Sequence, residues 1–368
     1  MTHLNSSVNM YIVPNGKTEH SLVCLDRVLE NIKNGNYMID ISVNYLGLKL
    51  KSPFIAASSG YTADLDKIVA LARSGAGAVV LKSLFEEQIS YETDFLESES
   101  VEHTEVYDYL NRYVADHTLD KYVQLVRDAR KLSGIPIIAS INCFSHGNWV
   151  KFAKRIEEAG ADALELNIYS LPLNGGKNSV EIETGYLHTV RDIVGSIKIP
   201  VAVKLGDNFT NPVNFVKGLQ GCGAAGAVLF NRFFTPDISL KNLEMIPAHP
   251  FSSKMEYLKE LRWIAILSAH MRKFDLSAST GVYEPSAAIK LMLAGASTVQ
   301  LCSVLYRQGP FVVQDFLEGL IEFMKSKGFS RIPDFAGMLN YTNIPDPAMF
   351  ERVQFLKTAE YYRKKMKP

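Results

Sequence analysis

Short apolar runs alternate with longer amphipathic segments along most of this chain, from residue 41 onward. The short runs show no polar face, which is typical of parallel strands that are buried on both sides. We therefore predict eight buried strands, each closing on a small or polar residue. The closing residues are Ala57, Lys82, Asn142, Asn167, Lys204, Asn231, Ser279 and Cys302.

The segments between these runs carry apolar residues at helical spacing. Four helix-to-strand junctions, at 74–81, 159–166, 223–230 and 294–301, resemble one another because each has small Gly and Ala residues before an apolar strand. Such an internal repeat is typical of a parallel sheet covered by helices. The predicted helices are 64–74, 119–132, 149–159, 180–194, 212–221, 257–272, 285–294 and 312–327.

Eight strand–helix units predict an α/β protein whose sheet closes as a (β/α)8 TIM barrel. An open doubly wound sheet is the alternative, but no G-x-G-x-x-G follows the first strand to support a dinucleotide-binding fold. An alternating stretch at 41–51 predicts a β-hairpin that plugs the bottom of the barrel. Long loops at 83–117 and 232–255 follow strands two and six, on the face where barrel enzymes build their sites.

We expect three parts in the chain: an N-terminal extension at 1–37, a barrel at 38–340 and a C-terminal helical tail at 341–368. The extension shows no clear period, and we interpret it as mobile. It also lacks the apolar stretch that a secretory signal needs after a basic start.

The composition excludes several classes of function. Lys plus Arg and Asp plus Glu both total 39, so no net charge favours nucleic acid or an anionic membrane. No apolar run approaches the roughly 20 residues of a membrane helix. The four cysteines are scattered without a C-x-x-C pair, so we expect no metal site or iron–sulfur cluster and a reducing, cytoplasmic location.

Polar residues gather at the predicted strand ends. Lys82 and Lys204 each close an apolar strand, and a buried lysine needs a partner, for which Glu165 is a candidate. The alternative is that each lysine reaches solvent from its strand end. Two such lysines beside three strand-end asparagines favour a site.

The last two strand ends suit a phosphate. Residues 279–281 (Ser-Thr-Gly) and 302–303 (Cys-Ser) occupy the positions where barrels often bind phosphate through backbone N–H groups. The small residues 56–60 (Ala-Ala-Ser-Ser-Gly) would let a flat ring lie against the backbone. Together these features predict an FMN site, in which Lys204 stabilises the negative charge that develops on the reduced ring.

These motifs, in this order, resemble the dihydroorotate dehydrogenase family, especially its class 1 branch and the dihydroorotate dehydrogenase-like subgroup. Stretches 81–89 and 229–233 are typical of that subgroup, and the similarity runs from about 39 to 339. The resemblance implies a flavin lined by Ala57, Ser58, Lys82, Asn142, Lys204, Asn231, Thr280, Gly281, Cys302 and Ser303. Ser83 and Ser279, at the same strand ends, complete the candidate set.

The resemblance also implies that Lys82, Asn167 and Asn231 face the substrate, and we add Asn174 as a candidate. The family places its catalytic base, a Cys or Ser, next to a Pro in the loop after strand four. Here Leu171 precedes Pro172, so Ser170, one residue earlier, is the predicted base, with Lys82 and Lys204 as the other catalytic residues.

Two further departures concern the substrate. The family's Asn-rich segment after strand two is not recognisable in this chain. Nine acidic residues lie between Glu86 and Asp108, with no Lys or Arg from 84 to 110. This run fits a solvated lid surface, and it is a poor match for an anionic substrate.

We expect an FMN-dependent oxidoreductase of pyrimidine biosynthesis that oxidises dihydroorotate, or a related dihydropyrimidine or enoate. A base would remove one proton while hydride passes to flavin N5. An external electron acceptor and, from the family, a homodimer are expected. The alternatives are another FMN-barrel reductase, such as one that acts on tRNA uridine, and an FMN-binding electron-transfer or regulatory protein that has lost its base.

Overall fold

The computed structural model describes residues 39–85, 104–142, 146–168, 173, 175–233 and 235–365, with the side chains of 104–117 and 146–148 left aside. The strands are β1 (Val43–Tyr45), β2 (Leu48–Leu50), β3 (Phe54–Ala56), β4 (Ala78–Val80), β5 (Leu84–Phe85), β6 (Ile137–Asn142), β7 (Ala163–Ile168), β8 (Val201–Leu205), β9 (Gly226–Leu229), β10 (Pro236–Ser239), β11 (Glu244–Pro247), β12 (Asp275–Ser279) and β13 (Thr298–Leu301).

The helices alternate with these strands. They are α1 (Leu65–Arg73), α2 (Thr104–Ser133), α3 (His146–Glu158), α4 (Ser179–Ser196), α5 (Pro212–Gly221), α6 (Tyr257–His270), α7 (Pro285–Ala294), α8 (Ser303–Gln308), α9 (Val312–Lys327) and α10 (Gln354–Lys365), with short 3-10 turns at Gly60–Ala63, Ile332–Asp334 and Pro347–Met349.

Eight parallel strands close into a barrel, which confirms the predicted (β/α)8 fold. The pairing runs β3–β4–β6–β7–β8–β9–β12–β13 and returns to β3, while β5 extends the sheet beside β6. The first and last barrel strands pair in register, with Ala56 opposite Leu301. Parallel pairing of this kind brings the carboxyl ends of all eight strands to one mouth.

The predicted hairpin plug is β1 and β2, joined by the turn at Leu46-Gly47. Tyr45, Leu46 and Leu50 are buried against the apolar side chains that point into the lower half of the barrel. The Leu46 backbone N–H donates to Asp275 Oδ2 at 2.7 Å, at the start of β12. The hairpin therefore closes the end of the barrel opposite the mouth.

Local signals explain where several helices begin. Asp64 accepts a hydrogen bond from the Lys67 N–H ahead of α1, and Asn211 does the same for Asn214 ahead of α5. Asn178 and Glu181 form a reciprocal capping box at α4. These side chains satisfy N–H groups that a helix cannot pair internally, which fixes the helix starts close to their predicted positions.

The two predicted long loops contain secondary structure that the sequence analysis did not place. Helix α2 begins at Thr104 rather than near residue 119, because Val106, Leu110 and Val114 continue the helical spacing upstream. The second loop holds the β10–β11 hairpin, whose register pairs Ile238 with Met245.

The predicted extension at 1–37 lies outside the described residues. Beyond α9, the chain returns along the barrel, where Tyr341 N–H donates to the Ala265 carbonyl at 3.0 Å. Helix α10 is held by Gln354, which accepts from Arg262 at 2.8 Å. None of the helices in the described part of the chain combines the length and apolar character that a bilayer crossing requires.

Glu260 is a buried carboxyl group on the first turn of α6. It is 3% exposed, and its Oε2 has no hydrogen-bond partner among the described residues. Burial, with a smaller contribution from Glu256, raises the pKa of Glu260 to about 8, well above its ordinary value near 4.5. The group is therefore protonated in the folded protein at neutral pH.

The folded protein binds this proton where the unfolded chain has released it, so stability should be highest at low pH and fall as pH rises toward 8. We predict that Glu260→Gln removes this pH dependence. The free energy of unfolding of the variant, relative to that of the parent, should therefore be higher at pH 8 than at pH 5 by on the order of 1–3 kcal/mol. Chemical unfolding between pH 5 and pH 8 measures the free energy of unfolding of each protein. Glu322→Gln, at an exposed position, is the control. Parallel curves for parent and Glu260→Gln would contradict the prediction.

Candidate active site

Lys204 lies inside the barrel, just below the mouth. Its Nζ donates to Gln300 Oε1 at 3.4 Å and lies 3.9 Å from Glu165 Oε1. Gln300 Nε2 in turn donates to Glu165 Oε2 at 2.7 Å. The predicted pairing of a strand-end lysine with Glu165 thus holds for Lys204, and Gln300 joins both charged groups.

An amide pair lies beside Lys204. Asn231 Nδ2 donates to Asn167 Oδ1 at 2.9 Å, and the β7–β8 register places Asn167 opposite Lys204. Within the described part of the chain, this bond leaves the Asn167 side-chain N–H groups and the Asn231 side-chain oxygen without another partner. The mouth therefore offers both hydrogen-bond donors and an acceptor next to a positive charge.

A chain of hydroxyl groups lines another part of the wall. Ser83 Oγ lies 3.0 Å from Ser58 Oγ and 2.7 Å from Ser140 Oγ, and the Ser83 N–H donates to Ser58. Behind them, the Tyr122 hydroxyl accepts from Ser140 N–H and donates to the Ser140 carbonyl. Burial raises the pKa of Tyr122 well above its usual range, so its proton stays in place.

Ser252 connects the two turns that were predicted to bind phosphate, at 279–281 and 302–303, by hydrogen bonds to both. Gly281 N–H donates to Ser252 Oγ at 3.3 Å, and Ser252 Oγ donates to Ser303 Oγ at 3.1 Å. Tyr283 OH donates to the Ser252 carbonyl at 2.6 Å, which holds this residue of the second long loop in place. Thr280, at φ +83°, donates to the Phe230 carbonyl at 3.0 Å.

The remaining predicted residues also lie at strand ends. Ala57 and Ser279 are buried, whereas Lys82, Asn142 and Cys302 are half-buried. Lys82 forms no ion pair within the described part of the chain, in contrast to Lys204. Burial raises the pKa of the Cys302 thiol, and the positive charge of Lys204 opposes this only in part.

Ser170 and Asn174, the predicted base and one predicted substrate ligand, lie outside the described residues. Strand β7 is the last described element before them in the chain, and it ends at Ile168. Their roles stay predictions.

Gln300, Ser252, Ser140 and Tyr122 belong to the site without having been predicted from the sequence. Gln300 had one signal, because a polar residue inside an apolar strand needs a buried partner. Ser252 had none, since it lies in the middle of a long loop. Its contacts depend on the folded path of that loop.

A (β/α)8 barrel with charged and amide side chains gathered at the carboxyl ends of its strands has the arrangement of a barrel enzyme. Comparison with known proteins identifies the family of enzymes to which the chain belongs. The chain belongs to the dihydroorotate dehydrogenase family, whose model matches residues 40–324. The enzymes of this family are flavoproteins of pyrimidine biosynthesis, and the chain is a dehydrogenase that acts on a CH–CH bond.

Individual relatives agree with this assignment. The catalytic subunit of dihydroorotate dehydrogenase B (NAD+) from Thermoplasma acidophilum is 25% identical over 313 residues, which cover 82% of this chain and 99% of that protein. A putative dihydroorotate dehydrogenase A (fumarate) from Aeropyrum pernix is 30% identical over 222 residues, 56% of this chain and 68% of its own length.

A third relative is named for a different substrate. The PreA subunit of the NAD-dependent dihydropyrimidine dehydrogenase of Escherichia coli is 23% identical over 335 residues, covering 83% of this chain and 78% of that protein. At these identities the comparisons establish the family and the type of reaction.

Position 281 requires glycine for two reasons, its backbone conformation and the lack of space for a side chain. Its φ is +73°, and a Cβ there would lie 2.3 Å from the Tyr257 backbone nitrogen at the start of α6. We predict that Gly281→Ala destabilises the protein by about 2–4 kcal/mol, from backbone strain plus displacement of α6. Urea unfolding measures the change.

Gly328→Ala is the matched control, because Gly328 has the same φ of +73° with nothing within 4 Å of the added Cβ. It should lose only about 1 kcal/mol from the backbone strain. Equal losses in the two variants would show that α6 does not constrain Gly281.

Proposed function

We propose that this dehydrogenase uses FMN and oxidises dihydroorotate to orotate, or a related dihydropyrimidine or enoate. The observation that carries the proposal is the buried Lys204 beneath the mouth, flanked by the Asn167–Asn231 amide pair. A positive charge and amides beside each other suit a planar, polar ring system that gains negative charge.

The residues present fit a flavin with one phosphate. The two turns that would hold the phosphate lie together, because the Gly281 N–H and the Ser303 hydroxyl share one oxygen partner in Ser252. Ala57 and Ser58 after β3 have small side chains, which would let a ring lie close to the backbone. The proposed FMN-binding set is Ala57, Ser58, Lys82, Ser83, Asn142, Lys204, Asn231, Ser279, Thr280, Gly281, Cys302 and Ser303.

When bound, FMN supplies a hydride acceptor at N5 of its ring. Lys204 would hold a fixed positive charge where negative charge accumulates, without the reorganisation that water would need. Asn167 and Asn231 would orient the substrate, together with Lys82 and Asn174. Ser170 would take the proton from the substrate carbon, with help from a neighbouring group because a serine hydroxyl is a weak base.

A neutral dihydropyrimidine is the second candidate substrate. The acidic run between Glu86 and Asp108 disfavours the carboxylate of dihydroorotate, and one relative is named for dihydropyrimidine oxidation. Both substrates call for the same reaction at the same amide pair.

The proposal includes an external electron acceptor, since relatives named catalytic subunits work with other partners. It also includes a homodimer, for which the β10–β11 hairpin offers support: Ile238, Leu240, Leu243 and Met245 are all more than half exposed. The scattered cysteines favour a cytoplasmic location. We place the FMN domain at 38–340, between an N-terminal extension at 1–37 and a C-terminal tail at 341–368.

The first test is the cofactor and the role of Lys204. The purified protein should be yellow and release FMN, not FAD, on denaturation. Lys204→Ala should weaken FMN binding and slow flavin reduction by about 10²–10³-fold, because it removes a positioned charge. Fluorescence titration and anaerobic stopped-flow absorbance measure the two effects. A protein that takes up no FMN would refute the proposed cofactor. A Lys204→Ala variant whose flavin is reduced as fast as that of the parent would refute the role of Lys204.

The second test concerns the base. Ser170→Ala should slow flavin reduction by dihydroorotate about 10²–10⁴-fold, with little change in substrate affinity, because the hydroxyl acts mainly in the transition state. Tyr169→Phe is the matched control, since its phenol is the adjacent candidate. A loss in Tyr169→Phe but not in Ser170→Ala would move the base to Tyr169. Reduction by dihydrouracil but not by dihydroorotate would select the neutral substrate.

A further inference from the structure

Two buried polar side chains on neighbouring strands meet a third, from a distant strand, in the interior of the barrel. Glu165 on β7, Lys204 on β8 and Gln300 on β13 are 1%, 6% and 1% exposed. Strand β13 pairs with β12 and β3, not with β7 or β8. The Gln300 side chain therefore reaches across the barrel to the other two, and we call these residues the interior triad.

The bonds of the interior triad fix the orientation of the Gln300 amide. Its oxygen accepts from the Lys204 ammonium, while its N–H donates to the Glu165 carboxylate. The amide dipole thus points its negative end at the cation and its positive end at the anion. Reversing the amide would place like partial charges against both neighbours.

Gln300 also stands in place of a direct hydrogen bond between Lys204 and Glu165. Lys204 Nζ lies 3.9 Å from Glu165 Oε1, too far for a hydrogen bond, and this carboxylate oxygen has no hydrogen-bond partner among the described residues. A direct bond would draw the ammonium down toward Glu165, which lies one layer further from the mouth than Asn167. The ammonium instead donates to the Gln300 amide oxygen at 3.4 Å, and the Lys204 backbone pairs with Asn167 in the β7–β8 register.

Stability alone does not account for such an arrangement. A buried ion pair costs desolvation energy that apolar side chains of similar size would avoid. Tyr45 from the hairpin plug faces the same interior, and burial together with the charges of Glu165 and Asp275 raises the pKa of its hydroxyl well above the usual range. The Tyr45 phenol therefore stays protonated and adds no second negative charge near the Glu165 carboxylate.

We propose that Glu165 and Gln300 are positioning residues for Lys204: Glu165 is its counter-ion, and Gln300 holds the ammonium at the mouth, apart from that counter-ion. The inference rests on the proposed function in taking the flavin as the group that Lys204 serves. Loss of Gln300 lets the ammonium bond directly to Glu165. The Lys204 ammonium then stabilises negative charge on the flavin less well.

The first measurement is FMN affinity by fluorescence titration in two backgrounds. Gln300→Met should weaken binding about 5- to 30-fold when Lys204 is present, and change it less than about 2-fold in Lys204→Met, because coupled residues give non-additive effects. Thr298→Val is the control, because Thr298 lies on the same strand as Gln300 and the change removes a buried hydroxyl that is bonded to Ser277 on β12. It should leave affinity within about 2-fold in both backgrounds. An equal loss from Gln300→Met in both backgrounds would overturn the proposal.

The second measurement is thermal unfolding without FMN, which does not depend on the proposed function. Lys204→Met leaves Glu165 as an uncompensated buried charge, so Lys204→Met with Glu165→Gln should unfold at a higher temperature than Lys204→Met. An equal or lower unfolding temperature for the double variant would overturn the pairing. If the parent takes up no FMN, the proposed function fails, and this comparison still decides whether Glu165 is the counter-ion of Lys204.

Discussion

Backbone pairing between β3 and β13 joins the first and last barrel strands, and the candidate site depends on this closure. The Ala57 N–H donates to the Leu301 carbonyl at 2.8 Å, which brings the small residues after β3 beside the turn that begins at Cys302. In an open sheet, Gln300 and Glu165, 135 residues apart in sequence, would lie on distant strands. Closure gives them a shared interior.

That interior is divided along the barrel axis. Near the hairpin plug it is apolar, with Ile55, Val80 and Ile138 packed against Tyr45 and Leu50. Toward the mouth it becomes charged at the level of Glu165 and Lys204. Because the lower half is lined mainly by apolar side chains and Glu165 and Lys204 hold each other, the electrostatic effect of Lys204 is exerted chiefly toward the polar mouth.

The fold could be predicted because its signals are local. Most strands end within about two residues of the point where an apolar run meets a small or polar residue, as at Lys204 and Ser279, and caps such as Asp64 mark helix starts. The residues of the mouth followed from the same pattern, since parallel strands share one carboxyl end.

Contacts within the site were harder to predict. The partner of Lys204 could be proposed because few buried carboxylates were available, and Glu165 lies on a neighbouring strand. The bridging role of Gln300 depends on the width of the closed barrel, and that of Ser252 on the path of a long loop. Neither quantity is encoded in residue spacing. The start of α2 was missed because its upstream half follows a strongly acidic run.

The β10–β11 hairpin differs from the barrel in having free strand edges, where unpaired N–H and C=O groups can template another strand. Its register sets Pro236 opposite Pro247, so both strands lack an N–H donor at the same end of the ribbon. A strand added from another molecule would find its ladder interrupted there. The hairpin can therefore expose Ile238 and Met245 to a partner through side chains while resisting the edge-to-edge growth that leads to fibrous aggregates.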